Sequence, residues 1–561
     1  MGVGLALTAP ALIALIWSYL LPTVTTLRRS FSAGPRVRDL GRGGDLGLGE
    51  SVGLDNYRAL YEAGFVESVT FVVLLAVVPL LLAVLIAPLL AVLADRAGRV
   101  ARLATRGVLA LPLAGHAPAA VYLGWRLHRV DGGAQSRGAV IMMVAVTSFG
   151  LVVAVAATAY LAALRNRSSG RSPLPALLTV GGLLALGVIA VALQSYTVGA
   201  LTPVQGRGAP LVGVFQSSFG QLRFGVGAAG SVLLLAVLGV LGLVAVGLLL
   251  ATRARIEVEG RRPTAPTGGD PLATGLVVVA LVVFVAVVGW ALAPWLRHGF
   301  EGVPEARGGV SLATVLANTW LPTLIGATVS VGLAAVAGFG IGALRPLGRW
   351  SELLLLPFAP WLFVGTGPLA IEGFFRAREL GQVNTFLGLI PPGWVSIPAL
   401  VAFTLLFRGQ QARGQHSGGT AVRTLVLPAL PMLVLIGLLT WLIQAQQLLW
   451  PSIVSGDPEN FTAPLAAQFR ANRFGPRADG AGLGSVLPVL ILLLFLVAFV
   501  VLQTRYLDRL AFRVGRDDAV APVGPTGVPT PRGPVAGGPA QAGLAVPGAS
   551  RRDQHRDIQE S

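Results

Sequence analysis

Long apolar runs separated by short arginine-bearing loops make up almost the whole chain. A membrane-spanning helix needs about 20 mostly apolar residues. Twelve stretches qualify: 3–27, 68–94, 107–127, 139–164, 175–200, 227–252, 272–295, 318–344, 353–371, 385–407, 424–450 and 484–504. Internal Pro or Gly interrupts 107–127, 353–371 and 385–407. The first run lacks a basic leader and is too long for a secretory signal, so it reads as a retained helix. Pro112, Pro118, Pro175, Pro357, Pro360, Pro428 and Pro431 predict helix kinks. Twelve spans put both termini on one side, taken as the cytoplasmic side of a multi-pass cell-membrane protein. Loop arginines divide almost evenly between the two faces, so the positive-inside rule adds little weight to that orientation.

The pattern also repeats. Asp95-Arg96-Ala97-Gly98-Arg99 and then Pro112 recur as Arg345-Pro346-Leu347-Gly348-Arg349 and Pro357. Leu174-Pro175-Ala176-Leu177 recurs as Leu427-Pro428-Ala429-Leu430. The offset is 250 at Gly98/Gly348 and 253 at Pro175/Pro428. A near-constant offset of this size predicts two copies of one unit. The expected architecture is all-α: a polytopic integral membrane protein of about twelve transmembrane helices in two homologous six-helix halves. The halves are 1–252 and 272–516, joined by a cytoplasmic linker, 253–271. A tail, 517–561, is rich in Pro, Gly and Ala and has too little apolar surface to fold. Duplicated membrane units commonly hold a substrate path between the copies.

Composition agrees. The chain has 561 residues, 54% hydrophobic and 12% charged, against about 25% charged in soluble domains. Net charge is +17 and all 42 basic residues are arginine. These arginines lie scattered in short loops, a pattern of topology rather than of a nucleic-acid face. Without lysine there is no Gly-Lys-Ser/Thr phosphate loop, so any ATP must be bound by another chain. Without cysteine there is no thiolate or disulfide chemistry. No two of the five histidines sit at metal-ligand spacing on one helix face. No catalytic residue, metal or cofactor is assigned.

Short phrases in both halves carry a resemblance. Val52-Gly53-Leu54-Asp55-Asn56-Tyr57-Arg58-Ala59-Leu60 resembles the opening of the first permease of carbohydrate-importing ABC transporters, of the maltose and glycerol-phosphate type. Asn384-Thr385-Phe386-Leu387-Gly388-Leu389-Ile390 resembles a segment of the partner permease. Leu448-Leu449-Trp450-Pro451-Ser452-Ile453-Val454, with Asp457-Pro458-Glu459 and Thr462-Ala463-Pro464-Leu465, resembles that partner's later signature. The order is that of two permeases fused in one chain, over roughly residues 5–515. The resemblance implies membrane lipid, separate ATPase subunits, an extracytoplasmic solute-binding protein and a small carbohydrate as partners. It also implies a coupling helix with a Glu-Ala-Ala…Gly core after the fourth span of each half. The chain departs here. The intervals 165–173 and 408–423 lack that core, and arginines (Arg165, Arg167, Arg171, Arg408, Arg413 and Arg423) are the groups there that remain to meet an ATPase.

A sugar pathway needs hydroxyl-matching groups and flat apolar faces. Trp441, Gln444 and Gln447, with Gln446 and Trp450 beside them, are the leading candidates. Gln444 and Gln447 lie three apart, the spacing of one helix face. Gln194 and Tyr196 hold the corresponding place in the first half. Interfacial anchoring competes with pathway lining for both groups. Arg126 and Glu372 read as interfacial snorkelling groups, His116 as a structural histidine in a broken helix, and Gly338, Gly340 and Gly342 as close-packing positions. Two other functions stay open: an ion-gradient-driven secondary transporter, and a degenerate, non-transporting membrane scaffold.

Overall fold

The computed structural model of the protein describes residues 2–34, 49–128, 134–165, 172–259, 269–298, 311–414, 420, 422–474 and 482–515. The side chains of 413, 414 and 474 are excepted. The tail expected at 517–561 and linker residues 260–268 lie outside the described residues.

In chain order the elements run α1 (Gly2–Leu15), α2 (Leu21–Ser30), α3 (Asp55–Glu62), α4 (Phe65–Leu81), α5 (Ala87–Arg96), α6 (Arg99–Ala114), α7 (Pro118–His128) and α8 (Arg137–Leu164). Next come α9 (Leu174–Leu193), α10 (Thr197–Leu201), α11 (Pro210–Phe215), α12 (Phe224–Ala251) and the strand β1 (Arg255–Val258). The chain continues with α13 (Pro271–His298), α14 (Leu312–Gly342), a 3₁₀ segment (Gly348–Trp361), α15 (Ala370–Glu379), α16 (Ile397–Gly414) and α17 (Leu427–Ala445). It closes with α18 (Leu449–Val454), α19 (Ala463–Phe474), α20 (Leu483–Val486), α21 (Val489–Val501) and β2 (Leu510–Arg513). Single π-helical turns join α1 to α2 and α4 to α5, giving continuous helices Gly2–Ser30 and Phe65–Arg96.

Among the described residues nine helices are long and apolar enough to cross a membrane. A tenth span results if α6 and α7, bent by 75° across Gly115-His116-Ala117, are one crossing. The protein is an all-α, multi-pass membrane protein. Two predicted spans take another form. The run 353–371 becomes the 3₁₀ segment, a turn and the short α15, because Pro357 and Pro360 withhold amide donors an α-helix requires. In 385–407 the helix starts only at Ile397, after Pro391-Pro392, and runs on through Arg408, Gln410 and Gln411. Pro118 and Pro175 open helices, where a missing N–H leaves no bond unmade, and Pro118 follows the 75° break. Pro428 lies within the continuous span Val422–Ala445, directly after a π-helical turn, Val422–Val426.

Packing crosses between the earlier and later parts of the chain. Helix α1 packs on α14, while α13 packs on α5, α7 and α8. Helix α12 lies against Gly348–Trp361, and α21 against α6. The strands pair antiparallel, Arg255 opposite Arg513 and Val258 opposite Leu510, with β1 on α16 and β2 on α8. Residues up to Gly515 accordingly form one body. Small residues allow the close crossings. A Cβ on Gly340 would lie 2.7 Å from the Gly4 carbonyl oxygen on α1. One on Gly338 would lie 2.6 Å from the Phe403 Cβ on α16, and one on Gly342 would strike the Thr404 carbonyl.

Backbone conformation recurs as well. The short helices α10 and α18 start at 197 and 449, and α11 and α19 start at 210 and 463. Thr202 ends α10 at φ −126°, ψ 91°, and Ser455 ends α18 at φ −120°, ψ 100°.

Candidate functional site

Helix α9 ends at Leu193, and Gln194 follows as its C-cap residue. Its carboxamide NH₂ donates to the Ala190 carbonyl at 3.0 Å and to the Phe363 carbonyl at 2.7 Å. Its carbonyl accepts from the Gly365 N–H at 2.7 Å. The side chain is therefore a clasp between α9 and the turn after the 3₁₀ segment, about as fully used as an amide can be. We predict that Gln194→Leu, which leaves a partly buried N–H and C=O unmatched, lowers stability by about 2 kcal/mol. Denaturant unfolding in detergent measures this, and parental stability would show that the clasp contributes nothing.

Tyr196 is buried, edge-on to Phe215 at 5.2 Å, with its hydroxyl against that of Ser452 on α18. From it a chain of rings crosses the seam: Phe215 to Phe219 at 5.4 Å, Phe219 to Phe374 at 5.3 Å, and Phe375 to Phe224 at 5.0 Å. Edge-to-face contacts of this kind add to simple burial. At the end of the chain the Arg29 guanidinium stands 3.9 Å over the Phe375 ring and pairs with Glu372. Arg29 is 5% and Glu372 8% exposed. Glu372 is thus a buried ion-pair partner, not a snorkelling group. Position along the sequence hid this, since the two residues are 343 apart. Arg126 does reach an exposed partner, the Asn472 side chain at 2.8 Å.

The later cluster divides. Trp441 donates to the Trp320 carbonyl at 2.9 Å and packs between the Trp320 and Phe495 rings, each 5.5 Å away. Helix α17 stops at Ala445 with Gln446 as its C-cap, so Gln444 and Gln447 do not share a helix face. Gln446, buried, donates to the Val486 carbonyl at 3.0 Å. The Gln444 carbonyl oxygen is buried against Gly326 with no hydrogen-bond partner among the described residues, and Gln447 is half-buried. Trp450 donates to the Gly388 carbonyl at 2.9 Å.

The quoted phrases of the second half touch one another. Asn384, at φ +57°, donates its N–H to the Val454 carbonyl at 2.8 Å. Its own carbonyl accepts from the Asn460 side chain at 3.0 Å, and its side-chain oxygen accepts from the Gly456 N–H. In the first half Asn56 donates to the Ser30 and Ser32 carbonyls at 3.0 and 2.8 Å. These residues fix the local backbone at 454–460 and 30–32, which accounts for their types without invoking a ligand.

The candidate coupling arginines differ from one another. Arg165 is 3% exposed and pairs with Glu259 at 3.1 Å. Arg408 pairs with Glu352 at 3.2 Å and donates to the Ala254 carbonyl at 3.4 Å. Arg423 is exposed. Arg167 and Arg171 lie outside the described residues, as does the side chain of Arg413. Glu257 and Glu259 alternate along the ribbon. Glu257 binds Arg255 at 2.8 Å and Arg513 at 2.9 Å, and Glu259 also binds Arg513. A strand-period pair of glutamates in 253–271 was the signal available in the sequence.

No family model, curated protein or solved structure matches the chain.

Proposed function

We propose that the chain is the membrane permease of a binding-protein-dependent ABC importer for a carbohydrate or polyol. In this reading two homologous six-span units are fused, both termini face the cytoplasm of a cell membrane, and separate ATPase subunits supply the energy. The chain itself makes and breaks no covalent bond. The observation that carries the reading is reciprocal packing at a constant offset. Short helices and their caps recur 252–253 residues apart, and each part lends its first helix to the other: α1 to α14, and α13 to α5. Such an arrangement leaves one seam with polar and aromatic side chains from both parts, where a solute path belongs. Gln194 and Tyr196 stand on it; Trp441 supports the bundle behind it.

Two observations favour the rivals. Glu372, a buried carboxylate on the seam, suits an ion-driven carrier. Arg165 and Arg408, occupied internally, suit a scaffold without ATPase coupling.

The test is uptake into right-side-out vesicles from cells expressing the full chain with its neighbouring transport components. ATP-dependent sugar uptake that Arg423→Glu diminishes is the expected result. Uptake driven by an imposed proton gradient selects the carrier, and no uptake under either condition overturns transport.

A further inference from the structure

A cup of about 420 Å³ opens beside Tyr196, between α4, the 199–217 segment and the start of α12, with Gln468 of α19 on its wall. That volume falls in the range of small-molecule sites. Two arginines, Arg207 and Arg223, line it, and no carboxylate does. Both arginines are exposed at the rim, and neither guanidinium has an ion-pair or hydrogen-bond partner among the described residues; the nearby Glu67 pairs with Arg137 at 3.7 Å. Three carboxamides, Gln216, Gln221 and Gln468, share the lining with the rings of Tyr196 and Phe215.

The backbone shapes the rim. Arg223 is the N-cap of α12, a 28-residue helix whose N-terminus carries no side-chain cap. A helix N-terminus carries partial positive charge. Between Gln221 and Arg223, Leu222 is held at φ +58°, a strained conformation for a branched side chain. Hydrogen bonds of 2.8 Å from the Gln221 N–H to the Gln216 carbonyl and from the Arg223 N–H to the Ser217 carbonyl fix it there.

We infer that this cup binds a small hydroxylated carboxylate of the sugar-acid class. The guanidiniums take the carboxylate, for which their planar fork is matched. The carboxamides, which both donate and accept, match hydroxyl groups. The Tyr196 and Phe215 rings cover the apolar face of the solute. That the solute is cargo rests on the permease reading; that it binds does not.

The experiment is calorimetric titration of the full chain in nanodiscs with glucuronate, glucose and a hexitol. Glucuronate is expected to bind saturably, more weakly as salt rises, and the neutral compounds to show no saturable binding. Arg207→Gln and Arg223→Gln should each weaken glucuronate binding about tenfold or more. Arg99→Gln, an exposed arginine at the start of α6, should leave it unchanged and control for surface charge. Glucuronate binding no tighter than glucose, or undiminished in both cup variants, overturns the inference. ATP-driven uptake of a neutral sugar without glucuronate binding removes the inference and leaves the permease. Glucuronate binding of the expected pattern without any uptake removes the permease and leaves the cup.

Discussion

Glu372→Ala is expected to destabilise the folded chain by on the order of 3–5 kcal/mol, the cost of stranding a buried charge. Arg29 is 5% exposed, and one of its terminal nitrogens already lacks a partner among the described residues. Without the carboxylate, only the Phe375 ring at 3.9 Å offsets its desolvation. The double variant Arg29→Met/Glu372→Leu should recover most of the loss, because removing both charges also removes both desolvation penalties. Thermal unfolding of the three proteins in one detergent decides this. A single variant as stable as the parent would mean that the pair is wet rather than buried.

The second large effect is steric. A Cβ on Gly242 of α12 would collide with the Ala359 carbonyl oxygen and lie 3.4 Å from the Leu362 Cβ. A backbone carbonyl has no rotamer to escape into, so Gly242→Val must push α12 off the 3₁₀ segment. The expected cost is about 1–3 kcal/mol for overpacking, at the upper end because backbone is struck. On the same helix Gly247 has nothing within 4 Å of its Cβ position. Gly247→Ala should therefore stabilise by about 0.5–1 kcal/mol, the propensity difference alone. Equal shifts in melting temperature for the two variants would show that α12 and the 3₁₀ segment do not touch as described.

What the sequence disclosed was whatever depends on local pattern. Unbroken apolar runs became helices, and the Gly338, Gly340 and Gly342 stripe became a crossing point for two neighbours, α1 and α16. The misread spans are those where proline cancels hydrogen bonds that apolarity alone suggests, at 357, 360 and 391–392. Sites followed the same division. Gln194 and Tyr196 stand out in the sequence by their position after a span, but their contacts with Phe363, Gly365 and Phe215 do not. The role of Trp441 could not, because it is set by Trp320 and Phe495, residues of two other helices. Arg29–Glu372 and the β1–β2 ribbon join residues some 250 to 340 positions apart, and no local periodicity encodes such pairings.

The lending of first helices has a consequence for biogenesis. Helix α1 is synthesised well before its partner: α14 begins at Leu312, roughly 300 residues later. At about 5–20 residues per second, α1 waits on the order of 15–60 s in the bilayer without its cognate surface. Helix α13 has no such delay, since α5, α7 and α8 are already inserted when it emerges. Assembly is therefore ordered: α13 seats on helices already inserted, whereas α1 docks only after α14 has emerged. Until then lipid or an insertase must shield α1.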